Sequence, residues 1–319
     1  MGSTSETIWS HEFAVAFLDV GQGDCSIIKL PNNELILIDV GPSNSSVLST
    51  FFNRYPDSTV HSVVLTHNDK DHCGGLGKLA EVVKIKNIYL RIDRDKSKLK
   101  DLFAVVNVIR KRYSTSLNEL KENSIIWDEN NWQLKCIFPP FSKDIVTLST
   151  NPNAVSGMIS LSYGDIPYFV WGGDAEYKSL EQYAPKQFFA QVGPHHGAPI
   201  DFKSYNTEVS TTTPDLNYIS VGTENQYGHP LPKYIKFQKS RKVSIYCSQM
   251  CQECDRHIIA NRSHLTCSEL IGIPSIVRSN VTVCRGSMLF HWDGEQWQFD
   301  NAEAEYQKNK KILKRKLCE

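Results

Sequence analysis

Leu65-Thr66-His67-Asn68-Asp69-Lys70-Asp71-His72-Cys73-Gly74-Gly75 is the stretch that decides how this chain is read. Four side chains able to bind a metal, His67, Asp69, Asp71 and His72, fall within six residues. A solvated loop tolerates charge but has no need to alternate imidazole and carboxylate at this spacing. Two divalent cations do need several donors converging from one short turn, and a His/Asp mixture suits Zn²⁺, Mn²⁺ or Fe²⁺. Ser62-Val63-Val64-Leu65 ahead of the turn reads as a buried strand, and Gly74-Gly75 opens the next element. The donors are therefore expected at the carboxyl end of a strand, where open α/β sheets bind their ligands.

Outward from this turn, Phe13 to Leu18, Cys25 to Leu30 and Leu35 to Ile38 read as three strands, parted by Gly21-Gln22-Gly23 and Pro31-Asn32-Asn33. Ser43 to Tyr55 has helical character with Ser and Asn at its start. Leu102, Val105, Val106 and Ile109 recur at helical spacing within residues 98–113, and Ile125 to Trp127 and Leu134 to Phe138 return to strand. Strands at Met158 to Leu161 and Tyr168 to Trp171 lead into Asp174, followed by a helix over 176–184 and strands at Phe188 to Val192 and Leu216 to Val221. Two strand-then-helix halves, each ending in acidic and imidazole side chains, predict an α/β (α+β) molecule of two sheets face to face with helices outside.

Of the 319 residues 40% are hydrophobic, enough for a substantial core. The formal net charge is +0, so no global basic field drives tight, unspecific nucleic-acid binding. Lys308, Lys310, Lys311, Lys314, Arg315 and Lys316 form a local basic tail, read as a solvated or frayed terminus. No apolar run approaches the ~18 to 20 residues of a membrane helix, and Met1 to Thr7 lacks the basic and apolar regions of a secretory signal. Nine cysteines, an odd number with four of them clustered, fit reduced thiols and metal better than a disulfide framework. A cytoplasmic protein with no membrane partner is expected.

The metal turn and four further motifs in order resemble the metallo-β-lactamase superfamily, whose signature at this point is H-x-H-x-D-H. Asp69 stands where the second His is usual. This H-x-D-x-D-H variant, with Leu18-Asp19-Val20-Gly21-Gln22-Gly23-Asp24 upstream, is similar to the soluble metallo-β-lactamase-type domain of the ComEC family of DNA-uptake proteins and its stand-alone relatives. Ile38-Asp39-Val40-Gly41 resembles the first superfamily motif, and Trp171-Gly172-Gly173-Asp174 the strand-ending Gly-Asp. Gly193-Pro194-His195-His196-Gly197 and Tyr227-Gly228-His229-Pro230 resemble the later histidine motifs. The likeness covers residues 12–247. It implies an αββα metallo-β-lactamase sandwich over residues 1–240, a metal-dependent hydrolase. Residues 241–319, a small Cys-rich C-terminal extension with a hairpin at Ser287 to Phe299 and the basic tail, complete that core or are appended to it.

The resemblance further implies that His67 and Asp69 bind a first metal, Asp71 and His72 a second, and that Asp174 bridges them. The His usual before the Gly-Asp motif is missing, and residues 151–160 offer Asn and Ser instead. One of His195 and His196 is expected to fill that gap, His195 being slightly favoured. The other would pass a proton to the leaving group or a phosphate oxygen, and His229 would complete the second site. Asp71, His195 and His196 are thus the candidate catalytic residues. Asp39 is read as orienting a metal-binding His, Asp19 and Asp24 as turn-forming, and Cys73 as a packing residue. His11, His61, His257, His264 and His291 are read as surface or satisfied core histidines.

The expected function is a phosphodiesterase, a nuclease acting on DNA through two divalent ions, Zn or Mn. Asp69 makes the first site harder and favours oxygen-loving metal and phosphodiester substrates. Hydrolysis of a small phosphodiester, lactone or thioester, and a non-catalytic subunit with a protein partner in a multi-gene system, are the competing readings. Cys247, Cys251, Cys254 and Cys267 offer four thiolates for an additional structural Zn, against packing thiols or disulfides.

Overall fold

The computed structural model describes residues 6–91, 96–139, 152–198, 212–223, 225–251, 254, 271–274, 283–304 and 306–307. β1 (Ala14–Phe17), β2 (Cys25–Lys29) and β3 (Glu34–Val40) are buried along nearly their whole length, as strands covered on both faces must be. They run antiparallel, and the sheet then turns parallel through β4 (Thr59–Val64), β5 (Ile85–Leu90) and β6 (Ser116–Glu119). The second sheet repeats this plan. β7 (Ile125–Glu129), β8 (Trp132–Phe138), β9 (Met158–Tyr163) and β10 (Ile166–Trp171) are antiparallel, and β11 (Gln187–Val192), β12 (Thr213–Ile219) and β13 (Ser244–Cys247) continue it in parallel.

The two sheets share one apolar interior. The Phe17 ring on the first sheet lies 5.3 Å from Tyr218 and 6.0 Å from Phe169 on the second, and Trp171 Nε1 donates to Ser26 Oγ across the gap at 2.9 Å. Helices close the outside. α1 (Val47–Arg54) turns Val47, Leu48, Phe51 and Phe52 inward, the i, i+4 stripe of a helix on a sheet. α2 (Lys70–Cys73), α3 (Leu76–Val82) and α4 (Lys96–Tyr113) follow on the first sheet's side, α1 packing on α3 and α3 on α4. α5 (Tyr177–Tyr183) packs on β8, and α6 (Pro232–Ser240) on β13. This is the predicted two-sheet sandwich with helices outside.

Past residue 240 the chain returns to both sheets. β13 is the last strand of the second, and β14 (Met288–Trp292) pairs antiparallel with β1, from Ala14 opposite His291 to Phe17 opposite Met288. β15 (Trp297–Phe299) completes the hairpin, so the first sheet runs β15-β14-β1-β2-β3-β4-β5-β6. Trp132 meets Phe13, Trp292 and Trp297 at ring distances of 4.8, 5.2 and 5.7 Å, which locks the hairpin to the second sheet. The buried Arg285 guanidinium reaches both Asp300 carboxylate oxygens at 2.7 and 2.8 Å; this forked pairing is what offsets taking both charges out of water. Cys267, His257, His264 and the basic tail lie outside the described residues. Among the described residues no helix is long and apolar enough to cross a membrane.

Candidate metal centre

One end of the sandwich collects the carboxyl ends of β1, β3, β4, β10, β11 and β12, and with them the motifs that carry Asp39, His67 to His72, Asp174 and His195-His196. β4 delivers Thr66 and His67. Thr66 donates its backbone N–H to Asp39 Oδ1 at 2.9 Å and its hydroxyl to Asp39 Oδ2 at 2.7 Å. Asp39 holds φ at +55°, a sparsely populated conformation for a residue with a side chain. α2 then carries Asp71 and His72 inward. The turn is tight enough to require Gly23, whose φ is +140° and where a Cβ would stand 2.2 Å from the Asp71 carbonyl oxygen.

Three imidazoles are held by the same device. His72 Nδ1 lies 2.8 Å from Asp39 Oδ2, and His196 Nδ1 lies 2.8 Å from the Ser220 carbonyl. His67 Nδ1 lies 3.1 Å from Thr66 Oγ1, whose own proton is spent on Asp39. A carbonyl, a carboxylate and a hydroxyl already donating elsewhere can only accept, so each Nδ1 carries the proton and each Nε2 presents a lone pair. All three Nε2 atoms point to one carboxylate. His67 Nε2 is 3.5 Å from Asp174 Oδ2, while His72 Nε2 and His196 Nε2 are 3.0 and 3.6 Å from Asp174 Oδ1.

On the second side Asp71 Oδ2 stands 3.3 Å from His196 Nε2. On the first side Asp69 Oδ2 stands 3.7 Å from His67 Nε2, with its side chain 42% exposed. His195 Nε2 approaches Asp174 Oδ2 at 3.6 Å from the open rim, its side chain 35% exposed. Asn153 Nδ2 is 3.5 Å from both Asp174 Oδ2 and His195 Nε2, in the segment where the superfamily pattern has a histidine.

Lone pairs facing carboxylates repel unless a cation lies between them. Nε2 of His67, His72 and His196 and Oδ1 of Asp174 are buried and complete no hydrogen bond, a cost of about 1–3 kcal/mol per group if left so. Three donor groups here could each hold one ion among the described residues: His67, His72 and Asp174; Asp71, His72 and His196; and, on the Nδ1 side of His72, Asp24, Asp39 and His72. Divalent cations are what these residues suit, with outer hydrogen bonds fixing the tautomer as at metal-bound histidines.

With protons alone as the available cations, the same cluster shows how strongly it attracts positive charge. Burial works against the charged form of His196, yet Asp24 and Asp174 raise it to about 10. His72 is likewise raised well above its usual value by Asp174 and Asp39, against burial. Burial would raise Asp71, but its contact with His196 and the nearby His72 hold it at about 2. Asp174 is pushed well below the carboxylate range by His72 and His196, again against burial. Two groups behave otherwise. Burial lowers His195, and it lowers His229 to about 4 with help from His196 and His195.

Of the residues singled out in the sequence, His67, Asp69, Asp71, His72, Asp174, His195 and His196 converge around one point. His229 does not join the tight donor groups; its ring centre lies 5.7 Å from that of His195. The position beside Asp71 and His72, expected for His229, is taken by His196. Its burial and its bond to Ser220 make it the inner member of the His195–His196 pair, with His195 outer. The pair owes this split to backbone. His195 (φ 48°, ψ 44°) and His196 (φ 52°, ψ 27°) are both left-handed, at roughly 1–2 kcal/mol each, so consecutive side chains diverge from the end of β11.

Asp39 makes the orienting contact expected of it. Asp19 forms the expected turn, accepting the Gly21 N–H at 3.2 Å. Asp24 exceeds the turn reading: its carboxylate lies 3.4 Å from His196 Nδ1 and 3.9 Å from His72 Nδ1. The only sequence signal was its place at the start of β2, one residue after a strained glycine. Cys73 is partly buried and its thiol is raised to about 12 by burial, in keeping with packing. Cys251 and Cys254 are buried with their Sγ atoms 3.6 Å apart, and Cys247 is buried nearby in sequence. The Glu6, His11 and His291 group lies elsewhere, where the two histidine rings stack at 3.9 Å.

The metallo-beta-lactamase superfamily model matches residues 18–166, from the end of β1 to the start of β10. Similar solved structures include Igni18, a metallo hydrolase from the hyperthermophilic archaeon Ignicoccus hospitalis, at 13% identity and a TM-score of 0.45, covering 73% of this chain and 94% of that one. Zn²⁺-bound PqqB from Methylobacterium extorquens is similar at 12% identity and a TM-score of 0.40, covering 56% of this chain and 72% of that one. A CmlA beta-hydroxylase mutant is similar at 14% identity and a TM-score of 0.43, covering 74% and 52%. No curated protein shows significant sequence similarity to the chain.

Proposed function

From a chain whose residues 18–166 match the metallo-beta-lactamase superfamily model, we propose a metal-dependent phosphodiesterase that cleaves DNA with two divalent ions. The observation that carries the reading is the convergence of three Nε2 lone pairs and the Asp71 carboxylate on Asp174. His67, Asp69 and Asp174 would hold one ion, and Asp71, His72, His196 and Asp174 the other. When bound, such a pair lowers the pKa of a shared water and neutralises charge on a reacting phosphoryl group.

The chain's own residues supply the rest. Asp39, Thr66 and Ser220 fix three imidazole tautomers before any ligand arrives, so no reorganisation is needed on binding. His195, exposed at the rim and lowered by burial, is neutral near pH 7 and can exchange a proton with the leaving group or a phosphate oxygen. Asp69, in place of the usual imidazole, gives the first side two carboxylates around His67, an oxygen-rich set that suits Mn²⁺ as well as Zn²⁺. The likeness of the motif set to the ComEC-type domain supports DNA as substrate.

The second reading is hydrolysis of a small phosphodiester, lactone or thioester, favoured by the net charge of +0. The test is metal content of the purified protein, then turnover of DNA, bis(p-nitrophenyl) phosphate, a lactone and a thioester with Mn²⁺ or Zn²⁺. Metal-dependent cleavage of DNA is expected. Stoichiometric metal with turnover of the lactone or thioester only would replace the nuclease reading, and metal-loaded protein inert on all four would leave the non-catalytic subunit.

A further inference from the structure

Tyr227 is 58% exposed, yet its ring is held in place. It lies nearly parallel to His229, with ring centres 5.8 Å apart and planes at 16°. His229 in turn faces His195 at 5.7 Å, and His195 Nε2 is 3.6 Å from Asp174 Oδ2. A row of rings thus leads from solvent to the carboxylate at the centre of the donor cluster. The loop carrying it is pinned from within. Asn225 Oδ1 accepts the His229 backbone N–H at 2.8 Å, while Asn225 Nδ2 donates to the carbonyls of Gly222 and His229, both at 2.9 Å. Beside the ring, a Cβ at Gly228 would meet nothing within 4 Å.

We infer that Tyr227 is a stacking platform for an unpaired base of a nucleic-acid substrate, which makes single strands the preferred polymer. The inference rests on the phosphodiesterase reading and specifies its substrate. One face of the ring lies against His229, and the exposure of Tyr227 leaves ring surface free to receive a second flat group. Every base has a π-face, so such a platform accepts any sequence. Bases inside a duplex already stack on each other and cannot reach it without unpairing. An aromatic platform also answers the lack of net positive charge, because stacking adds affinity that does not depend on a basic surface.

The test compares wild type, Tyr227→Ala and Tyr227→Trp on two substrates of equal length, a single-stranded oligodeoxynucleotide and its fully abasic tetrahydrofuran analogue. Tyr227→Ala is expected to raise KM on the oligodeoxynucleotide roughly 5- to 150-fold, the span of one base–aromatic stack, with kcat nearly constant. On the abasic analogue it should change nothing, and Tyr227→Trp should behave as wild type on both. An unchanged KM on the oligodeoxynucleotide, or an equal rise on both substrates, overturns the platform while leaving the phosphodiesterase intact. A metal-loaded wild type that cleaves neither substrate overturns the phosphodiesterase reading and the platform with it.

Discussion

Asp39 Oδ2 accepts the Nδ1 proton of His72 at 2.8 Å while also accepting the Thr66 hydroxyl. One carboxylate therefore decides which nitrogen His72 turns toward Asp174 and, through Thr66, which nitrogen His67 does. Asp39 need not touch a metal to control both.

Asp39→Asn replaces one accepting oxygen by a donor that clashes with a proton already present. Metal affinity is expected to fall about 10- to 100-fold, as for other outer partners of metal-bound histidines. Competition with a chelator measures it; affinity equal to wild type would remove Asp39 from this role.

Asp174→Ala deletes the carboxylate on which the two donor groups at the Nε2 side of His72 converge. The expected result is loss of at least one metal equivalent and at least ~100-fold of turnover, with the fold retained by circular dichroism. Asp71→Ala should lose the second ion in the same way. A variant that kept both ions and normal turnover would sink the site model.

His196→Ala and His195→Ala are expected to differ. His196 is 2% exposed and locked to Ser220, so nothing else can supply its nitrogen and one metal equivalent should be lost. His195 faces solvent, and its loss should leave metal content intact while lowering turnover about 100-fold or more. Full occupancy in both variants would take the pair out of the coordination shell.

Asp19 sets a pH dependence of stability. Burial raises its carboxyl to about 6 from 3.8. The folded state thus binds the proton more tightly than the unfolded one. That contribution is complete below pH 3.8 and is lost as pH rises through about 6. Wild type should give up on the order of 2 kcal/mol across this window. Asp19→Asn keeps an oxygen for Gly21 N–H and Gln249 Nε2, which both reach Oδ1, and should lack that loss. Urea unfolding near pH 4.5 and pH 7.5 reads the difference; a gap between the two proteins that is the same at both pH values would refute it.

Cys251 and Cys254 stand at 3.6 Å between sulfurs, close to the ~3.8 Å expected of two thiolates on one tetrahedral zinc. Cys251→Ser/Cys254→Ser is expected to lose one zinc equivalent and to melt at lower temperature, with the Asp174 cluster still loaded. Unchanged zinc and melting temperature would leave these thiols as packing groups.

Much of this was legible from local pattern. Leu35 to Ile38 and Tyr168 to Trp171 are continuous apolar runs and Phe188 to Val192 is broken only by Gln191; each is a strand buried at all or most of these positions. Ile85–Leu90 was missed because Lys86 and Asn87 break its apolar run, and Ser116–Glu119 because a polar edge strand carries no pattern at all. Pro232–Ser240 begins on a proline and carries Lys233, Lys236 and Lys239 on its outer face, which hid the buried stripe of Tyr234, Ile235, Phe237 and Gln238. At the site, residue types on a short turn could be read directly. The order of His195 and His196 could not, because it depends on two left-handed backbone conformations and on the Ser220 carbonyl, to which no motif points. Asp24 was read as a turn residue for the same reason: its neighbours His72 and His196 are distant in sequence.

The pairing of β14 with β1 has a bearing on synthesis. Asp19 N–H is bound by Ser287 Oγ at 2.9 Å, and its carboxylate by Gln249 at 2.8 Å. The first loop of the site is thus buttressed by residues 268 and 230 positions downstream. A nascent chain that has emerged as far as His229 holds every candidate ligand of the Asp174 cluster, yet β1 still exposes an unpaired edge and Asp19 lacks its contacts with Gln249 and Ser287. The Asp19 contact with Ser287 forms only once that residue has cleared the ribosome, and until β14 follows, the edge of β1 stays open to pairing with other chains.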